Sequence, residues 1–441
     1  MPTTFLLLPP LELDGGKLDA VLVPSPCLPT DILLQIFVRT DPATLVRCAA
    51  TSKDHLRRVA DPAFLRRYGH RLDSRFVPSL LLGLYCDDYD SDDEDDDQLF
   101  RIMVPPGQPP AATTPCRSLG EDAVSALMDW NYAPATACAG LLFAKDLYTS
   151  PDLVKGRVIH TSRPQRYYTS IPPADISSVS LVLLPEYYYD DDENGLISFR
   201  LVAVNLSTVT SLRQSRLCAQ IFRSRSGKWD WVPPMDVSLP GGSPHTWHDT
   251  QATVLGSGAR VAAYWLCKSG VSYHVVSFHI DDAQADVIEL PPGCQDRGRN
   301  SEELLLAPSE DRKRLTLLVA DGLKINVWIW TRAANSTETG RWALHMVIDV
   351  LGAARELSQR WPLPRQVDPE ARVKFERWFG ERSGTAVLKV DRCGHFALNP
   401  ATKKLQLLKE FSETVDMWVL CGHEISPIPL LRKLQLLNIA Y

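Results

Sequence analysis

The chain has 441 residues, too many for one small core, and its 45% hydrophobic and 23% charged residues exclude a globally disordered protein. Nine acidic residues between Asp87 and Asp97 outweigh the formal charge of −6, so the rest of the chain carries about +3 and lacks the dense basic face of a nucleic-acid-binding protein. Ten scattered cysteines with no C-x-x-C pair point to reduced thiols in an intracellular protein, cytoplasmic or nuclear.

Residues 1–26 are punctuated by prolines and are expected to be flexible. Phe5 to Leu8 is apolar, but Pro9 and Pro10 end the run and no basic segment precedes it. No signal peptide is expected, and no later stretch is apolar enough to span a membrane. The sequons at Asn205 and Asn335 are then expected to stay unglycosylated.

Residues 27–73 read as helical. Thr30 or Asp31 is placed to cap a first helix, with Pro29 just before it. Ile32 and Ile36, and Leu33 and Phe37, stand four residues apart and give one wide apolar face. Asp41-Pro42 stops this helix and starts a second, with Leu45, Val46, Cys48 and Ala49 on its apolar side. A third begins near Thr51-Ser52, with Leu56 and Val59, and Phe64 and Leu65 follow Asp61-Pro62. About 45 residues cannot bury so much apolar surface among themselves. The module therefore docks on the rest of the chain or offers a helical apolar face to a partner.

Residues 84–118 hold the acidic run and a proline-rich stretch from Pro105 to Pro115, a composition expected to form a disordered insertion. From 119 to 441 the chain reads as many short antiparallel β segments. Val261–Leu266 and Tyr273–Phe278 flank Lys268-Ser269-Gly270, a hairpin signal. Leu315–Ala320 and Ile325–Trp330 flank Asp321-Gly322 in the same way, and Ala386–Val390 and His395–Leu398 flank the turn at Asp391–Gly394.

A loose repeat lies over these segments. Units end at Tyr167–Pro173, at Lys228–Pro234, at Val287–Pro292 and at Gly340–Leu344, with spacings of roughly 50–60 residues that suit the four-stranded blades of a propeller. A β-sandwich with irregular loops is the other reading.

The candidate chemical sites are weak. Cys393-Gly394-His395 and Cys421-Gly422-His423 repeat a Cys-Gly-His, but structural zinc sites usually space their ligands by two or more residues, not one. His245, His248 and Asp249 follow Ser243 without a nucleophile elbow. The glycines at 293 and 298 lack the Lys-Ser/Thr pair of a phosphate loop, and the acidic run lacks the glycine of a calcium loop. The tryptophans read as strand-face residues before recognition anchors. No metal, cofactor or catalytic residue is expected.

The string Leu28-Pro29, Asp31-Ile32-Leu33, Ile36-Phe37, Asp41-Pro42, Leu45, Arg47, Ser52-Lys53, Leu56-Arg57 and Asp61-Pro62-Ala63-Phe64 resembles the F-box consensus along the whole module. The resemblance implies that Leu28, Pro29, Ile32, Leu33, Ile36, Phe37 and Leu45 contact a Skp-type adaptor subunit, which bridges to a cullin scaffold. One departure stands in the third helix, where many F-boxes carry a tryptophan and this chain has His55 and Leu56. The arrangement is also similar to plant F-box proteins with a β-rich associated domain, through the tryptophan–proline unit ends and Cys138-Ala139-Gly140-Leu141-Leu142, which looks like an early strand of such domains. The expected architecture is α+β and multidomain: a three-helix F-box at 27–73, then an antiparallel all-β, propeller-like domain at 119–441. The implied role is non-catalytic, the β domain holding a target protein for a ubiquitin ligase, with no nucleic acid or membrane partner. A small-molecule or glycan sensor coupled to the same ligase, a non-ligase interaction protein and an unrelated β-rich hydrolase are the alternatives.

Overall fold

The computed structural model describes residues 28–73, 75–89, 100–103, 132–146, 153–160, 168–174, 176, 180–186, 198–209, 214–237, 245–247, 251–256, 261–269, 272–294, 301–331, 340–358, 371–410 and 416–424. Helices α1 (Thr30–Arg39), α2 (Pro42–Ala50), α3 (Lys53–Val59) and α4 (Pro62–Asp73) come first. The spacing predicts three helices; the fourth arises because Phe64, Leu65, Tyr68 and Leu72 recur at helical spacing and are all buried. Asp41 accepts the Thr44 N–H at 3.0 Å and Ser52 accepts the His55 N–H at 3.0 Å, so each caps the helix that follows it. α1 has Pro29 at its N-cap and no side-chain cap, so neither Thr30 nor Asp31 takes that part. Its last turn is held from α4, where Arg71 donates to the carbonyls of Val38 and, at 2.8 Å, Arg39.

A five-bladed β-propeller follows. Blade 1 comprises β3 (Tyr132–Cys138), β4 (Leu141–Asp146), β5 (Val154–His160) and β6 (Tyr168–Ala174). Blade 2 comprises β7 (Ser180–Glu186), β8 (Ser198–Val209), β9 (Gln214–Arg223) and β10 (Lys228–Val237). In blade 3, β11 (His245–Trp247) and β12 (Thr253–Leu255) pair end to end along β13 (Ala262–Ser269), which pairs with β14 (Ser272–His279) and then β15 (Gln284–Glu289). Blade 4 comprises β16 (Leu304–Pro308), β17 (Leu315–Asp321), β18 (Lys324–Thr331) and β19 (Arg341–Asp349), followed by α5 (Val350–Ser358). Blade 5 comprises β20 (Val373–Phe379), β21 (Ala386–Val390), β22 (Gly394–Asn399) and β23 (Lys404–Glu410). Within the blades every pairing is antiparallel, and all but that of β11 with β13 join neighbours in sequence, as the turn signals at Asp321-Gly322 and Asp391–Gly394 require. Among the described residues, no helix is long and apolar enough to cross a membrane.

The four unit ends of the repeat are the outermost strands β6, β10, β15 and β19, which replaces the sandwich reading with blades. Their tryptophans have a definite task. Trp229 Nε1 donates to the Pro172 carbonyl of blade 1 at 2.9 Å, and Trp342 Nε1 donates to the Glu289 carbonyl of blade 3 at 2.7 Å. Each clasps the outer edge of its blade to the blade before it. Cys138-Ala139-Gly140-Leu141-Leu142, expected as one strand, instead turns: Ala139 and Gly140 have φ of 54° and 87° and join β3 to β4.

Apolar clusters fill the gaps between blades. In β17, Leu315, Leu317 and Val319 face blade 3 while Leu318 and Ala320 face blade 5, following the two-residue period of a strand buried on both sides. Polar bridges join them. Trp265 Nε1 donates to Ser180 Oγ at 2.7 Å, and Arg200 lies 3.0 Å from Glu186 and 2.7 Å from Asp281.

The ring is closed by a three-stranded sheet between blade 5 and blade 1. Its strands are β1 (Leu81–Tyr89), β2 (Phe100–Met103) and β24 (Asp416–Glu424), in the order β2-β1-β24. Leu81 and Leu84 pack on Trp378 and Val387 of blade 5; Tyr85 and Cys421 pack on Leu142, Ala144 and Ile159 of blade 1. The Trp378 indole lies so close to Gly422 that a Cβ there would collide with it. Two expectations are corrected here. Residues 84–89 and 100–103, placed in a disordered insertion, are strands, because β1 finds its partner at the far end of the chain. The β domain accordingly begins at Leu81, before the expected start at 119. Residues 90–99 and 104–118 of that insertion, and residues 1–26, lie outside the described residues.

A chain ended after residue 415 lacks β24, and circular dichroism should show that it has lost the single cooperative melt of the full chain. Leu84 is fully buried, so Leu84→Ala should lower the urea-unfolding free energy by about 2–4 kcal/mol. Wild-type stability in either chain would remove the closing role from this sheet.

Candidate functional site

Among the helices, the i, i+4 pairs separate by direction. Phe37 and Leu45 are inside, 4% and 0% exposed, packed with Leu56, Phe64 and Tyr68. His55 sits edge-on to Phe37 at 5.6 Å and its Nδ1 lies 3.0 Å from Thr51 Oγ1. The imidazole thus fills the third-helix position against the core. Leu28, Ile32 and Ile36 turn the other way and are 56%, 45% and 45% exposed. Pro29 is exposed beside them, and Leu33 is half-buried at the edge of the strip. Of the seven residues expected to meet a partner, five are at or near the surface. Phe37 and Leu45 are not: their side chains hold the strip from within.

The module is anchored at its other end. Val77 and Leu80 join the helical core, and the Val77 N–H donates to the Arg382 carbonyl of the β20–β21 turn at 2.8 Å. Phe76 stands edge-on to Phe379 at 5.7 Å. Gly384, at φ 68°, lies against Phe76, where a side chain would collide. The module therefore docks on its own chain and also leaves an apolar face open, both outcomes that its composition allows.

The β20–β21 turn also reaches the propeller axis. There Thr136, Cys138, Leu183, Gln251, Glu381 and Glu424 line a cavity of about 10 Å³, the size of one water. Glu381 Oε1 accepts the Val254 N–H of blade 3 at 2.8 Å. Glu424 of the closing sheet accepts the Ser383 N–H at 2.8 Å and the Arg382 N–H at 3.2 Å, while its carbonyl accepts the Gly140 N–H of blade 1 at 2.7 Å. Two carboxylates thus tie blade 3, blade 5 and the closing sheet together across the axis, and the Glu424 main-chain carbonyl adds blade 1. Sequence reasoning missed them. The signal was Gly380-Glu381-Arg382-Ser383-Gly384, a glycine-bracketed charged turn that reads locally as solvated.

Burial pushes the Cys138 thiol up to about 12, so it is not a thiolate nucleophile at neutral pH. The two Cys-Gly-His stretches do not meet: Cys393 packs in the core of blades 4 and 5, and Cys421 packs in the closing sheet. His395 Nε2 lies 3.3 Å from Glu376. Among the described residues no group of three or more His, Cys, Asp and Glu converges as metal ligands. Ser243, His248, Asp249 and Gly298 lie outside the described residues.

Burial raises the Glu381 carboxyl to about 7, against Arg312, the Val254 N–H and Arg382, with the Glu424 charge adding to the rise. The folded chain therefore keeps a proton that the unfolded chain loses above about 4.5, and stability from this group falls as pH rises from 4.5 through 7. Glu381→Gln keeps an acceptor for Val254 and cannot ionise. Its melting temperature should gain on wild type by about 2 °C or more between pH 5 and pH 8. A difference that is flat with pH would mean that Glu381 titrates in its ordinary range.

No curated protein is significantly similar to the chain. Among solved structures, a puromycin hydrolase mutant complexed with PGG is 14% identical with a TM-score of 0.35, over 66% of this chain and 40% of that one. The α-L-arabinofuranosidase Arb93A from Fusarium graminearum is 8% identical with a TM-score of 0.28, over 67% and 83%. Dipeptidyl peptidase 4 of Porphyromonas gingivalis is 9% identical with a TM-score of 0.28, over 67% and 45%. The chain thus spans well under half the length of the first of these. Residues 26–70 match the F-box-like family, which covers the first three helices and most of the fourth. Residues 201–437, more than half of the chain, match the domain of unknown function DUF7595, and the chain belongs to that family, with an F-box-like domain ahead of it.

Proposed function

We propose that this chain is the substrate-recognition adaptor of a cullin-type ubiquitin ligase, its helical module binding a Skp-type subunit and its propeller holding a target protein. The observation that carries the reading is the open strip of Leu28, Ile32 and Ile36 on a module whose other large apolar side chains are buried or half-buried. Covering half-exposed Leu and Ile side chains is worth roughly 1 kcal/mol apiece, a free energy that the isolated chain leaves unused and a partner groove recovers. Leu28, Pro29, Ile32, Leu33 and Ile36 form the contact surface, while Phe37 and Leu45 set its shape from below. The chain performs no covalent step in this reading. It raises the effective concentration of the target near the catalytic end of the ligase, and the junction at Phe76 and Val77 keeps that geometry stiff.

The test is binding of the purified full chain to a Skp-type subunit. Wild type should bind, and the exposed double change Ile32→Glu/Ile36→Glu should weaken binding by about 30-fold or more with the thermal melt unchanged. Phe37→Ala should instead lose about 3–5 kcal/mol of module stability, because it empties the core. Absence of binding by the wild-type chain, or full binding by the double variant, would sink the proposal.

A further inference from the structure

Between blades 4 and 5, beside the segment that leaves the helices, lies a cleft of about 400 Å³. That volume falls in the range of about 300–1,000 Å³ that small-molecule sites occupy. Its floor is the outer end of the blade 4 face, where Leu318, Val327 and Ile329 are buried. Two rings stand at one wall, Phe379 from blade 5 and Phe76 from the helical junction, edge-on at 5.7 Å. Thr316 also lines the cleft. It is 5% exposed, and its Oγ1 has no hydrogen-bond partner among the described residues. A buried hydroxyl left unpaired is costly, so a ligand atom that meets it is favoured over an empty site.

The rim carries two arginines and two acids. Asp311 is already engaged: it accepts from Ser309 Oγ and, at 3.2 Å, from the Lys313 N–H, and Arg314 stands 3.7 Å away. Arg75, next to Phe76 in sequence, is exposed with no ion pair among the described residues, and His345 also lines the cleft. Glu310 is the rim's other acid, exposed on the same turn as Asp311. A guanidinium over an apolar, ring-walled floor fits a carboxylate or sulfonate carried on a flat apolar body.

We propose that this cleft binds a small amphipathic anion, an apolar ring system with one acidic head, its head at Arg75, its rings on Phe76 and Phe379, and an acceptor at Thr316. The site has one wall from the segment that ends the helical module and the others from two blades. A ligand there stabilises the junction between the module and the propeller as well as the blade interface.

The probe is 1-anilinonaphthalene-8-sulfonate, titrated by fluorescence into the full chain carrying Ile32→Glu/Ile36→Glu, so that the open helical strip does not compete for the dye. One saturable site is expected. Ala401→Trp, which fills the cleft from the β22–β23 turn, and Arg75→Glu, an exposed change, should each weaken it by about tenfold or more. The uncharged N-phenyl-1-naphthylamine and the cationic thioflavin T should bind more weakly by a similar factor, and the sulfonate should raise the melting temperature of the parent alone. Dye binding that both cleft variants leave unchanged would overturn the site. Equal binding of the neutral or cationic dye would overturn the anion preference. If Ala401→Trp lowers the melt by itself, Arg75→Glu alone decides.

Discussion

The antiparallel pairing of β1 with β24 is the constraint on which the rest of the molecule depends. A propeller without closure leaves its first and last blades with one face uncovered, each facing water with apolar side chains. Here the closing sheet covers both at once, with Leu81 and Leu84 on one side and Tyr85 and Cys421 on the other. It also sets where the helices sit. β1 begins directly after the 3₁₀ turn at Pro78–Leu80, and Leu80 belongs to the helical core while Leu81 belongs to the closing sheet. Two adjacent residues thus join the helical module to the ring with no linker between them.

The axis makes the same point in polar terms. Glu424 ends β24 and uses its carboxylate to hold the β20–β21 turn, and that turn supplies both Glu381 for blade 3 and the Arg382 carbonyl for Val77. Closure, the axial network and the docking of the helices are therefore coupled through one five-residue turn. Its glycines are dictated by crowding: a side chain on Gly380 would meet Ser383 and Glu424, and one on Gly384 would meet Phe76.

Much of this was legible in the sequence, for local reasons. Hairpins with Asp-Gly or Lys-Ser-Gly between apolar runs announced β13 to β14 and β17 to β18, and the tryptophan–proline unit ends marked the outer strand of four blades. Asp41-Pro42 and Ser52 marked helix starts because capping is a contact over three residues. What stayed hidden depends on partners far away in sequence. The acidic composition after Cys86 masked β1, whose pairing residues lie more than 300 positions downstream. Periodicity placed Ile32, Leu33, Ile36 and Phe37 on one wide face, but only the packing of α4 and His55 decided that Phe37 turns inward and Ile36 outward. The cleft is assembled from two blades and the helical junction, and the axial carboxylates join three blades and the closing sheet, so no window of sequence contains either.

Closure by strands at the two ends of the domain also has a consequence in time. About 330 residues separate Tyr89 from Asp416, so at 5–20 residues per second a ribosome needs roughly a quarter of a minute to a minute to deliver the partner of β1. Through that interval β1 presents an open edge on a chain that already carries the exposed apolar strip of α1. Asp87 and Asp88, in the end of β1 that waits for Met417 and Trp418, put like charges on that strand. Two nascent chains that approach edge to edge repel each other there, whereas β24, which is short of acidic residues between Asp416 and Glu424, does not. The composition that disguises the strand from a reader of the sequence thus also protects it from the wrong partner during synthesis.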